Sequence, residues 1–95
     1  MTAPLSSFLP GVAGAIETVT GELVVDTGLR SIQTFVAVLN TVNFVPDGPS
    51  RVSWYFLPNS VDTTIKVVLR VECGGGSEGL LATDPINVSW LALEK

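Results

Sequence analysis

From residue 63 to residue 73 the chain alternates, with Val68 the one apolar residue on the polar parity. Ile65, Val67, Leu69, Val71 and Cys73 fall on one parity, and Thr64, Lys66, Val68, Arg70 and Glu72 on the other. A period of two sends successive side chains to opposite faces of an extended backbone, so this segment is a strand with one buried and one wet face. A strand needs partners, and the rest of the sequence supplies them. Residues 51–57 set Val52, Trp54 and Phe56 against Ser53, Tyr55 and Leu57. Residues 86–93 set Ile86, Val88, Trp90 and Ala92 against Asn87, Ser89, Leu91 and Leu93. Residues 17–25 read as one bulged strand or as two short strands around Gly21.

Residues 31–40 differ from these. Ile32, Thr34, Val36 and Val38 lie on one side and Phe35, Ala37 and Leu39 on the other, so both sides are largely apolar. A strand with water on one face does not carry that pattern. The expectation is a central strand, or one packed between subunits. Turn chemistry separates the strands at Asp26-Thr27-Gly28, Asp47-Gly48-Pro49-Ser50, Pro58-Asn59-Ser60, the loop of residues 74–79 and Asp84-Pro85, with a further short strand at residues 80–83. No helical period appears. The class is therefore all-β: a small antiparallel β-sandwich or a jelly-roll-like barrel.

Ninety-five residues make one domain. The chain is 46% hydrophobic and only 15% charged, against about 25% charged in typical domains. So small a domain has much surface to cover, so either Ser, Thr and Asn cover it or part of its apolar surface meets a partner. Both are expected. Residues 1–15 carry Pro4, Pro10, Gly11 and Gly14 among Leu5, Phe8, Leu9 and Val12. Pro and Gly oppose a helix, and the apolar side chains oppose a freely solvated tail. They form an extended N-terminal arm across a neighbouring surface, or else a disordered terminus; residues 16–95 form the sandwich domain. The prolines and the missing basic lead also set this stretch apart from a secretory signal.

Histidine is absent altogether, which removes the commonest general base and transition-metal ligand. Cys73 is the sole cysteine, so neither an intrachain disulfide nor a structural zinc site is available, and it reads as a small core hydrophobe. The acidic residues Asp26, Asp47, Asp62 and Asp84 sit at turns, where Asp bonds local backbone. The expectation is no enzyme, no cofactor and no metal. Net charge is -4, with five scattered basic residues, which argues against nucleic acid. No polybasic patch or run of about 20 apolar residues points to a membrane. Trp54 and Phe56 are expected to pack in the core against Trp90 on the facing sheet. Tyr55 points the other way and is an interface candidate, although exposed aromatic rings would also suit a sugar.

The layout Glu22-Leu23-Val24-Val25-Asp26-Thr27-Gly28-Leu29-Arg30-Ser31-Ile32, followed by Val52-Ser53-Trp54-Tyr55, Thr64-Ile65-Lys66-Val67-Val68-Leu69 and Ile86-Asn87-Val88-Ser89-Trp90-Leu91-Ala92, resembles small bacteriophage virion β-sandwich proteins. These are the head-decoration (cement) proteins and, more weakly, tail-fibre modules and H-type lectins. The resemblance implies a trimer, made in the host cytoplasm and bound to the capsid surface of the virion, that stabilises the head by contacting the major capsid protein or another virion protein. It gives the arm a role on the capsid through Leu5, Phe8 and Leu9, with Phe35, Tyr55 and Leu57 as candidates for the oligomer interface. A tail-fibre, receptor-binding or lectin-like carbohydrate-binding module is the alternative.

Overall fold

A computed structural model describes residues 11–40, 48–58, 60 and 63–95. They form six strands: β1 (Val12–Val19), β2 (Glu22–Asp26), β3 (Thr34–Leu39), β4 (Pro49–Phe56), β5 (Lys66–Cys73) and β6 (Ile86–Leu93). One sheet has the order β1-β6-β3 and the other β2-β5-β4, with every pairing antiparallel. The fold is all-β, a small sandwich of two three-stranded sheets. β1 pairs with β6 and β2 with β5, as in one long hairpin. Rolling that hairpin places β3 beside β6 and β4 beside β5. This nested order is jelly-roll-like, with fewer strands than the usual eight.

The alternating residues decide which face is inside. Val67, Leu69 and Val71 of β5 are fully buried, and so are Val88 and Ala92 of β6. Val19, Val25, Leu29, Phe35, Ala37, Ala82 and Trp90 complete the interior around them. Aromatic rings join the two sheets. Phe35 stacks on Trp90, and it meets Trp54 and Phe56 of the facing sheet at centroid distances of 5.5 and 6.0 Å. Both tryptophans therefore lie where the alternation placed them, whereas Phe56 at the end of β4 touches Phe35 but is 49% exposed. Cys73 is half-buried and packs against the same core.

Two short strands, not one bulged strand, flank Gly21. It adopts φ 75°, and its carbonyl accepts from Val71 N–H at 2.8 Å. The chain changes sheets there, so the corner needs a residue without a side chain. The Asp26-Thr27-Gly28 turn is also formed, with Gly28 at φ 74°. Gly28 N–H donates to the Asp26 carboxylate, and the Thr27 hydroxyl donates to Ile65 O. Residues 80–83 supply an isolated bridge, Leu81 to Glu72, in place of a strand.

Three expectations require correction. Among the described residues β3 is an edge strand of its sheet, so of the two expectations the central one falls and packing between subunits stands as the other; its second apolar face is open on the described surface. β1 begins at Val12, so residues 12–15 of the expected arm belong to the sandwich, hydrogen-bonded to β6. Residues 1–10 lie outside the described residues. β4 begins at Pro49, inside the stretch expected to be a turn, because a proline is tolerated at the first residue of a strand.

Candidate interaction surface

The two sheets expose very different outer faces. On the β2-β5-β4 sheet the outward positions alternate charge and bulk. Glu22, Arg70 and Ser53 form one cross-strand row, and Val24, Val68 and Tyr55 the next. Asp26 pairs with Lys66 at the end of the same face. Arg51 donates to the Glu72 carboxylate at 3.0 Å, and Ser53 donates to it at 3.3 Å. Arg70 Nε stands 3.7 Å from Glu22 Oε2, an ion pair longer than a hydrogen bond. Val68 is buried on this outer face because Val24 and Tyr55 flank it. This face is built to meet water.

Among the described residues, the outward strand positions of the β1-β6-β3 sheet carry no charge. Its rows across the three strands are Val12, Leu93 and Thr34; Gly14, Leu91 and Val36; Ile16, Ser89 and Val38; and Thr18, Asn87 and Asn40. Ile16 is 68% exposed, Val38 57% and Val36 47%. At the polar end Thr18 donates to Asn87 Oδ1 at 2.9 Å, and Asn40 Nδ2 donates to Ser89 Oγ at 2.6 Å. Those four side chains thus bond one another in pairs at one end of the face. Gly14 lets Leu91 lie over it, since a Cβ there would sit 2.9 Å from Trp90 O and 3.3 Å from Leu91 Cδ1. Contiguous apolar surface rimmed by polar groups marks an interaction site more often than a solvated face.

Of the expected site residues, Phe35, Tyr55 and Leu57 are described, and they are not brought together. Phe35 is in the core, 7% exposed, because a large aromatic ring buries more area than Val36 or Val38 and takes the inward parity. Its side chain is therefore taken up by the core of its own sandwich. Tyr55 is on the charged outer face of the other sheet. Leu57 is half-buried beyond β4 and lines an apolar crevice of ≈ 200 Å³ with Ile32, Phe56 and Ile65. Leu5, Phe8 and Leu9 lie outside the described residues. Ile16, Val36, Val38, Leu91 and Leu93 were missed. No single strand signals them: β3 and β6 carry no charge on either parity, and only β1 has one, Glu17, on its inward side.

No cluster of three or more His, Cys, Asp or Glu occurs among the described residues, and no helix among them is long and apolar enough to cross a membrane. The two perturbed carboxylates are held by turn and strand partners. Asp26 is lowered by the Thr64 hydroxyl and then by Gly28 N–H. Glu72 is lowered mainly by its hydrogen bond from Arg51. No family model, curated protein or solved structure matches the chain.

Proposed function

We propose that this chain is a non-enzymatic structural subunit of a virion, a head-decoration protein that associates with copies of itself and docks on a protein shell. The observation that carries the reading is the uncharged outer face of the β1-β6-β3 sheet, set back to back with a charged one. A sandwich with one wet face and one dry face suits a protein that coats a larger body. Identity as a phage component rests on the sequence resemblance. Jelly-roll sandwiches also serve viral capsid and lectin domains, which is support by fold analogy alone. Repeated attachment of many copies turns individually weak contacts into stable binding. The carbohydrate alternative has less to draw on, because Trp54 and Trp90 both pack on Phe35.

The test is co-sedimentation of the full chain with empty heads assembled from the major capsid protein encoded in the same genome. Saturable binding is expected. A chain that stays in the supernatant, and instead responds on a glycan array, overturns the reading in favour of the alternative.

A further inference from the structure

Four strands lie at sheet edges: β1, β3, β2 and β4. Exposed edges invite pairing with other chains, and natural sheets blunt them with charges, prolines, bulges and short strands. β2 has five residues with Glu22 and Asp26 at its ends. β4 opens on Pro49, and its register shifts between Pro49 and Arg51. β1 places Glu17 on its inward parity, where it accepts from Trp90 Nε1 at 3.5 Å. β3 reads Thr-Phe-Val-Ala-Val-Leu and has none of these defences.

The hydrogen-bond phase of β3 is fixed by its neighbours. Glu94 N–H donates to Gly11 O, so the even-numbered residues of β6 bond β1 and the odd-numbered ones bond β3. Asn40 N–H donating to Asn87 O at 2.8 Å agrees. The even residues of β3 are thereby used, and Phe35, Ala37 and Leu39 turn their backbone N–H and C=O groups to the outer edge. Among the described residues no strand pairs with that edge.

We propose that β3 pairs antiparallel with β3 of a second copy across a two-fold axis at Ala37, which makes one continuous sheet of three strands from each copy. Residues opposite one another in such a pair share a face. An axis at Ala37 sets Phe35 against Leu39 inside and Val36 against Val38 outside, and it brings Thr34 to Asn40 at the polar ends. Phe35, Ala37 and Leu39 then each donate and accept one bond. An axis at Val36 is worse, since it sets Leu39 against Gln33, whose N–H already donates to Leu93 O.

Footprint favours a second copy as the occupant. Three strands about 4.8 Å apart and about 27 Å long cover roughly 400 Å², whereas a standard interface takes about 800 Å² from each partner. Two copies joined at β3 double the uncharged face and reach that size. The open edge stands apart from the virion reading, whereas the footprint argument for a second copy rests on that reading. The pairing is two-fold, so the trimer implied by resemblance would need a different contact.

The experiment uses two full-length variants, Val36→Cys and Val38→Cys, each also carrying Cys73→Ala. In the proposed register residue 36 faces residue 38 of the other copy as a non-bonded pair with Cα atoms about 4.5 Å apart, within disulfide reach. Like residues lie on the diagonal at about 7–8 Å, beyond it. Mild oxidation should give disulfide-linked dimer in the mixture of the two variants and little in either alone, and light scattering of the wild-type chain should give two copies. No dimer in the mixture, equal dimer in each variant alone, or a wild-type mass of one or three copies overturns the pairing. Head binding without the cross-link removes the pairing and keeps the docking face. The cross-link without head binding does the reverse.

Discussion

The rings of Phe35 and Trp90 stack with their centroids 5.7 Å apart and their planes 14° from parallel. Phe35 comes from an edge strand and Trp90 from the middle of the same sheet, so the stack holds β3 down against the core. The same ring reaches Trp54 on the facing sheet. Replacing Phe35 by Ala should therefore cost about 3–5 kcal/mol of folding stability, read as a drop in the urea midpoint. A change no larger than that of an exposed substitution would place Phe35 outside the core.

Thr27 is the buried polar residue of the core, 4% exposed among the described residues. Its hydroxyl donates to Ile65 O at 2.8 Å and accepts from Leu29 N–H at 3.2 Å. Thr27→Val keeps the shape and leaves the Leu29 N–H unpaired. The expected loss is about 1–3 kcal/mol in urea unfolding, with the far-ultraviolet spectrum unchanged.

Acid should destabilise the fold. Asp26 and Glu72 both lie below their ordinary values, Asp26 chiefly through the Thr64 hydroxyl and Glu72 chiefly through Arg51. The unfolded chain therefore binds protons at these carboxylates more readily than the folded chain. Their stabilisation is complete above the ordinary carboxylate range of about 4 and is lost as pH falls through the lowered values. The urea midpoint should stay level from neutral pH to about 5 and then fall. Asp26→Asn should flatten part of that fall.

A truncation that tests the arm must stop at Pro10. Removing residues 1–15 would also remove half of β1, whose Ala13 and Gly14 pair with Ala92 and Leu91. Deleting residues 1–10 should weaken co-sedimentation with heads and leave the urea midpoint and the light-scattering mass as in the full chain. Undiminished binding would strip Leu5, Phe8 and Leu9 of the role that the resemblance gives them.

Much of the sandwich could be read from alternation, because burial on one face imposes a period of two wherever a strand has a core side. That signal placed Val67, Leu69, Val71, Val88, Trp90 and Ala92 inside. It failed on β3, where both parities are apolar and period alone cannot say which is buried. Period alone leaves Phe35 free to be read as surface and gives Val36 and Val38 no distinction. Which strands share a sheet is a long-range property: β1 and β6 meet from opposite ends of the chain, and no local residue pattern encodes that pairing. The dry face exists only once those three strands are side by side, so it could not be seen one strand at a time.

The central claim is that the uncharged face, and not the charged one, meets the shell. Ile16 and Val24 are comparably exposed and lie on opposite outer faces, so a lysine at either should change stability by no more than about 0.5 kcal/mol. The decisive measurement is co-sedimentation with heads of Ile16→Lys beside Val24→Lys. Binding lost in Ile16→Lys and kept in Val24→Lys is the predicted result; the reverse pattern, or equal binding by both, contradicts the account.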